Sequence, residues 1–226
     1  MNRKSFLLAA SMLLLPLYAA TPVRAQAAGN VAAVQLQKLL NGNRRYVADR
    51  VRRHNQRPNG GPQYPFAAVL SCSDARVPPE ILFDQGVNDL FVVRVAGNTA
   101  DDPAAAHPTV TDSVQLQSLA YAAQVLGVKL IVVLGHDQCG AVKGALEKCG
   151  QSAIGPMFQN VCPALHGIGA AGSNNKLKEA VAANVRSQVA LLKSTPPFAE
   201  MVKRNQLRIV GAVTDIDTGR VSLVIP

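Results

Sequence analysis

The stretch Phe66-Ala-Ala-Val-Leu-Ser-Cys-Ser-Asp-Ala-Arg76 joins a short apolar run to a polar cluster. The apolar part, Phe66 to Leu70, has the length and composition of a buried β-strand. We expect this strand to end at Cys72, which places a thiol at the carboxyl end of the strand. In open α/β sheets this edge is where ligands bind.

The same pattern recurs in the stretch Leu130-Ile-Val-Val-Leu-Gly-His-Asp-Gln-Cys139. Its apolar half predicts a second buried strand that ends just before His136. The residues from Gln138 to Glu147 predict a helix with Cys139 in its first turn, where the helix dipole and free N–H groups favour a thiolate. Because the carboxyl ends of parallel strands share one edge, we expect Cys72, His136 and Cys139 to meet.

The rest of the chain continues this alternation of strands and helices. Further strands are predicted at 90–95 and 207–213, with a possible edge strand at 220–225. Helices are predicted at 31–50, with a bend near Asn41-Gly42, at 112–126, with Asp112 as N-cap, and at 176–193 and 198–204. The pattern indicates an α/β fold, a mostly parallel central sheet flanked by helices, with an N-terminal helical arm.

Cys72, His136 and Cys139 offer two thiolates and one imidazole, a metal-ligand set with one coordination position left over. Structural zinc sites usually close all four positions with protein ligands, whereas catalytic sites keep three and leave the fourth for water. Soft and borderline ligands favour zinc over magnesium, calcium or manganese. The ligand count therefore predicts a catalytic zinc site, which can turn water into hydroxide near neutral pH.

Asp74 and Arg76 are two residues apart and point the same way on an extended segment, so an ion pair is easy to form. One interpretation is a structural salt bridge. A second is that Asp74 accepts the hydrogen bond of zinc-bound hydroxide while Arg76 keeps the carboxylate ionised and oriented. A third is that Asp74 itself occupies the fourth position on zinc and switches the site off.

Two further cysteines, Cys149 and Cys162, lie thirteen positions apart in a stretch that contains Gly and Pro. An oxidising compartment would permit them to pair. A disulfide that closes so short a loop contributes ~3 kcal/mol in the chain-entropy picture. The alternative is a pair of free or buried thiols.

The N-terminus has the features of a secretory signal peptide. A basic start precedes an apolar run from Phe6 to Ala20, which is too short to span a bilayer comfortably. Small residues at Val23 and Ala25 predict cleavage before Gln26. We therefore expect a signal peptide over 1–25, a single catalytic domain over 26–226, and a periplasmic or secreted protein without stable membrane association. An uncleaved N-terminal anchor is the alternative.

The chain has a formal net charge of +9 over 226 residues. Its basic residues are scattered and its aromatic residues are few, so nucleic acid is not an expected partner. A mildly positive field favours a small anionic ligand instead. The remaining histidines, His54, His107 and His166, are expected to be solvated or structural.

Six stretches of the chain resemble the β-class carbonic anhydrases, in the expected order along residues 31–225. They are Gln63–Pro65, Cys72–Glu80, Phe83–Gly86, Asp89–Arg94, Ala96–Asn98 and Gly135–Val142. The resemblance implies the fold of that family and one zinc ion per subunit. It also implies the zinc ligands Cys72, His136 and Cys139, with Asp74 and Arg76 as a dyad beside zinc-bound water.

The resemblance further implies four substrate-binding residues: Gln63, Phe91, Tyr121 and Gly140. Gln63 matches a glutamine that hydrogen-bonds substrate, and Phe91 and Tyr121 match wall residues that the family supplies from the neighbouring subunit. A homodimer or a dimer of dimers is therefore implied. Without the resemblance, Phe91 and Tyr121 would be interpreted as core residues and Gln63 as a polar loop residue.

The implied reaction is zinc-dependent, reversible hydration of carbon dioxide to bicarbonate and a proton by zinc-bound hydroxide. A hydrolase of carbon disulfide or carbonyl sulfide on the same scaffold and a non-catalytic zinc- or bicarbonate-binding protein are the alternatives. The chain departs from the family pattern at Val95, where an asparagine is usual. It also has no Trp, around which the self-inhibited subgroup builds a bicarbonate pocket, and this favours the subgroup with water on zinc.

Overall fold

The computed structural model describes residues 22–52, 54, 56, 57, 60–100, 113–149, 156–168 and 174–225. The apolar run of the predicted signal peptide, His107 and Asp112 lie outside the described residues. The predicted cleavage site before Gln26 falls within the first helix. Among the described helices, none combines the length and the apolar character needed to cross a membrane.

A five-stranded sheet forms the centre of the molecule. Its strands are β1 (Ala67–Ser71), β2 (Leu90–Arg94), β3 (Leu130–His136), β4 (Arg208–Thr214) and β5 (Val221–Ile225). They lie in the order β2-β1-β3-β4-β5, all parallel except β5, which pairs antiparallel with β4. Every residue of β1 and β3 is buried, as expected for parallel strands covered on both faces. The predicted mostly parallel α/β fold is confirmed.

Seven α-helices and two 3₁₀ helices of the described chain surround or connect these strands. The α-helices are α1 (Pro22–Val47), α2 (Pro79–Leu82), α3 (Val114–Gln124), α4 (Gly140–Lys148), α5 (Pro156–Gln159), α6 (Asn174–Ser194) and α7 (Phe198–Lys203), and the 3₁₀ helices are Ala96–Asn98 and Cys162–Leu165. Helix α3 starts one residue later than expected, because the Ser113 side chain accepts a hydrogen bond from the Leu116 N–H and acts as its N-cap.

The sheet separates two apolar clusters. Alternate residues of β3 point to opposite faces, so Leu130, Val132 and Leu134 join the cluster beneath α1 and α4. Ile131 and Val133 join the cluster beneath α3, α6 and α7. His136 continues the first series, and its side chain therefore belongs to the α1 and α4 face.

The predicted bend at Asn41-Gly42 is wrong, because α1 runs without interruption to Val47. Gly42 serves a close approach instead: a Cβ there would lie 1.7 Å from the carbonyl oxygen of Phe83. Next to it, the buried Asn43 amide donates to the carbonyls of Leu82 and Gly219 at 3.0 and 2.8 Å. The glycine therefore lets α1 dock against the chain after α2.

Replacing Gly42 by alanine is expected to lower the free energy of unfolding by about 1–3 kcal/mol, the usual range for overpacking. Gly29→Ala in the same helix is the matched control. The Cβ position of Gly29 has nothing within 4 Å among the described residues, so the substitution should be neutral or stabilising by up to about 1 kcal/mol. Urea unfolding followed by circular dichroism compares the two, and equal stabilities would contradict the close contact.

Candidate metal centre

Three buried side chains from separate parts of the sequence converge at the carboxyl edge of the sheet. Cys72 follows β1, His136 is the last residue of the neighbouring strand β3, and Cys139 is the N-cap of α4. One donor atom from each lies within 4.8 Å of the others. The side chains are 5%, 1% and 1% exposed, respectively. Parallel pairing of β1 with β3 brings these distant residues together.

The observed ends of β3 and α4 differ from those expected from the sequence. Strand β3 extends two residues beyond the predicted end, so His136 belongs to the strand instead of following it. Helix α4 begins at Gly140, so Cys139 precedes its first turn as the N-cap. Its backbone there is extended, which turns the chain from the strand edge into the helix.

The donor set fits a divalent soft-to-borderline metal ion. His136 Nδ1 lies 2.8 Å from the carbonyl oxygen of Asp137, which requires a proton on Nδ1 and leaves a lone pair on Nε2. Nε2 is fully buried and has no hydrogen-bond partner among the described residues. A buried acceptor beside two sulfur atoms is satisfied when it binds a cation, and this tautomer is the one that metal-binding histidines adopt.

Close contacts among these side chains shift their pKa values. The neighbouring Cys139 thiol lowers the pKa of Cys72 most, and His136 and nearby backbone N–H groups lower it further, to about 4 despite its burial. The same contact raises the pKa of Cys139, because its proton is held between the two sulfurs. Burial opposes protonation of His136, yet the Cys72 thiolate raises its pKa overall. Cys72 is therefore a thiolate beside the other two donors, and the thiolate is the form of cysteine that binds a metal ion.

Asp74 and Arg76 form the ion pair that their spacing predicts. Asp74 Oδ1 accepts from the backbone N–H and Nε of Arg76, both at 3.0 Å, and Oδ2 accepts from Nη2 at 2.7 Å. These bonds hold the pKa of Asp74 well below its usual range. Oδ2 lies 3.9 Å from His136 Nε2, but Asp74 is outside the donor group described above. Arg76 thus occupies both carboxylate oxygens beside the centre.

Arg94 is a site residue that the sequence reasoning missed. It ends β2 and is paired in register with Ser71 of β1. Its Nε donates to the Cys72 carbonyl at 2.9 Å and its Nη2 donates to the Asp74 carbonyl. One guanidinium therefore fixes the backbone that carries a sulfur ligand and the dyad. The available signal was a single charge at the carboxyl end of an apolar strand.

Arg94→Lys is expected to lower the activity of the metal centre about 10-fold or more, the usual range when a partner of a metal ligand is changed. Lysine keeps the charge but cannot bind two carbonyls with one planar group. Arg208→Lys is the control and should retain full activity, because Arg208 is the first residue of β4 and lies at the sheet edge opposite the metal centre. The activity per bound metal ion is compared between the two variants. An unchanged value for Arg94→Lys would contradict the inference that Arg94 positions the backbone of Cys72 and Asp74.

The residues expected to bind substrate are only partly gathered in one chain. The rings of Phe91 and Tyr121 lie 6.2 Å apart, and Tyr121 is 44% exposed instead of lying in the core. Gly140 directly follows Cys139, and a Cβ there would meet nothing within 4 Å in the described structure. Gln63 is exposed in the segment before β1. His54 bonds to Asp84 in a separate cluster and has a structural role.

Comparison with known proteins assigns the family. The carbonic anhydrase family model matches residues 67–221. Carbonic anhydrase 2 of Mycobacterium tuberculosis is 35% identical over 196 residues, which cover 82% of this chain and 89% of the relative. The chain belongs to the carbonic anhydrase family. The matched range contains the three metal-site residues and the Asp74–Arg76 pair, whereas Gln63 precedes it.

Solved structures place this carbonic anhydrase in the β class. The β-carbonic anhydrase CcaA is 27% identical, with a TM-score of 0.61, and the match covers 73% of this chain and 85% of CcaA. A tetrameric β-carbonic anhydrase of Sordaria macrospora shares the fold at 20% identity and a TM-score of 0.61, covering 89% and 95% of the two chains. The protein is an enzyme that catalyses the reversible hydration of carbon dioxide.

Proposed function

We propose that this carbonic anhydrase holds one zinc ion per chain between Cys72, His136 and Cys139. The observation that carries this proposal is the convergence of two buried sulfurs with a buried, unpartnered imidazole nitrogen. Zinc bound there would supply a Lewis acid that makes a water molecule acidic near neutral pH. Carbon disulfide and carbonyl sulfide are the alternative substrates, and no observation favours either of them over carbon dioxide.

Asp74 is the proposed hydrogen-bond acceptor for the attacking water. Its carboxylate is ionised and held in place by three bonds from Arg76. An acceptor fixed in this way orients the water's remaining lone pair toward the carbon of carbon dioxide. A structural salt bridge alone would contribute little, because the Arg76 side chain is 55% exposed and exposed pairs are worth about 0–1 kcal/mol.

The substrate wall is proposed to come from two copies of the chain. Phe91 lies on β2, one of the two edge strands of the sheet, and Tyr121 is half exposed beside it. In a homodimer these rings, with Gln63 and Gly140, would exclude water and orient carbon dioxide. Whether two dimers join further is an outcome of the size measurement below.

Intersubunit complementation tests this assembly. Phe91→Ala and Cys139→Ser chains are each expected to be inactive alone. If Phe91 serves the neighbouring site, a mixed dimer has one site with neither substitution and regains activity. Sedimentation gives the size of the same sample. A monomer, or a mixed dimer without activity, would contradict a shared site.

Export is the remaining proposal for this chain. Residues 1–25 are proposed to be a cleaved signal peptide, which would make the protein periplasmic or secreted. The Cys149–Cys162 disulfide supports this, since disulfides persist in oxidising compartments. N-terminal sequencing of protein recovered from cell fractions should find Gln26 first in the exported fraction. An intact N-terminus on membranes would indicate an anchor instead.

Stopped-flow hydration of carbon dioxide, with zinc quantified in the same sample, tests the metal proposal. About one zinc per chain and activity proportional to zinc content are expected. Carbon disulfide and carbonyl sulfide serve as comparison substrates. Stoichiometric zinc without activity on carbon dioxide would contradict the proposed roles of the site residues. Full activity without zinc would contradict the proposal that the enzyme needs a metal ion.

A further inference from the structure

Helix α4 connects the metal centre to the disulfide. Its N-cap is Cys139 and its C-cap is Cys149, which is bonded to Cys162. We infer that Phe158, Val161 and the Cys149–Cys162 disulfide, here called the brace, position both sulfur ligands of the metal centre. The inference rests on the metal site proposed above and adds residues that touch neither metal nor substrate.

The first contact of the brace is with α4 and therefore with Cys139. Phe158 packs directly on the helix backbone at Gly144, where a Cβ would lie 2.5 Å from the ring. The disulfide then fixes the end of the helix. A nine-residue helix is too short to be stable by itself. These two attachments add to the core packing of Ala141, Val142 and Ala145 in holding the helix, and with it the direction of the Cys139 sulfur.

The second contact reaches Cys72 through Gly97. Val161 is fully buried, and its Cγ2 atom and the Cβ of Ala141 lie 3.4 and 3.3 Å from the position that a Gly97 Cβ would take. The Gly97 N–H donates to the Cys72 sulfur at 3.4 Å. Gly97 is thus enclosed between the brace, α4 and the first sulfur ligand.

The covalent bond matters because the segment that carries Val161 has little regular structure. Helix α5 has four residues and the 3₁₀ helix Cys162–Leu165 has four. Without the disulfide, this segment would lose its covalent link to the end of α4. Its loosening would widen the space around Gly97 and release the end of α4 at the same time. Both sulfurs would then be less well placed, although no ligand has changed.

The test uses the zinc-loaded full chain and the double variant Cys149→Ala/Cys162→Ala. Zinc content of the wild type is measured first. Zinc release to an excess of chelator is then followed well below the unfolding temperatures of all variants. We expect the double variant to release zinc about tenfold faster or more, the range seen when groups around metal ligands are changed. Cobalt-substituted samples should show altered thiolate-to-cobalt absorption.

Loss of general stability is controlled by Val189→Ala or Leu192→Ala, in the opposite apolar cluster, chosen to match the unfolding temperature of the double variant. Gly144→Ala is the second probe if the double variant does not fold, since it displaces Phe158 and keeps both cysteines. Wild-type release rates in the brace variants, or equally fast release from the matched control, would overturn the inference. A wild type that binds no zinc would overturn the metal proposal itself.

Discussion

Replacing Cys139 by serine is expected to remove the metal and with it nearly all carbon dioxide hydration. Cys139 supplies one of the three donors that the described residues bring together, and a hydroxyl is a far weaker ligand than a thiolate for a borderline metal ion. Changing a mere partner of a ligand commonly costs 10–100-fold in metal affinity. The loss of a ligand should therefore exceed about 100-fold in both affinity and activity.

Metal content after dialysis against chelator, together with the hydration rate, measures this effect. Val142→Ala is the matched control, because Val142 is equally buried in α4 and contributes packing but no donor atom. It should lower stability and keep the metal. Stoichiometric zinc and normal activity in Cys139→Ser would remove Cys139 from the metal centre, and Cys72→Ser should behave in the same way as Cys139→Ser.

Asp74→Asn should keep the metal and lose hydration activity by about 100-fold or more, the usual contribution of a positioned group that handles a proton. Asparagine has nearly the same shape but no charge, so it no longer pairs with Arg76 or accepts through both oxygens. Because Asp74 lies outside the donor group, zinc content should be unchanged. Unchanged zinc with lost activity would distinguish the role of the Asp74–Arg76 pair from that of the metal ligands.

Asp217→Asn is the control for Asp74→Asn. Asp217 is another exposed carboxylate whose charge acts on Arg76. Its Oδ2 accepts a hydrogen bond from the Gln138 side-chain amide at 3.5 Å. Its neutralisation should leave the hydration rate close to the wild-type value. Full activity in Asp74→Asn would mean that the ion pair with Arg76 is only a structural salt bridge. Loss of zinc in that variant would instead make Asp74 part of the metal site.

Most of the architecture could be predicted from local patterns. The apolar runs of β1 and β3 are recognisable because parallel strands are buried on both faces. Errors arose where a residue serves a distant contact. Gly42 has the signature of a helix break, yet its missing Cβ accommodates the Phe83 carbonyl. Local patterning alone would also place Tyr121 in the core, whereas the family resemblance predicts a wall residue, and Tyr121 is 44% exposed.

Local patterning is enough to specify the chemistry of the centre: two thiols, an imidazole and a carboxylate–guanidinium pair, placed where strands end. How these groups act together depends on the packing of the folded chain. Strand order and register set Arg94 against the carbonyls of Cys72 and Asp74. They also bring Gly97 between Cys72 and Val161. Such contacts depend on how strands and helices pack across the sheet, and no local periodicity encodes that arrangement.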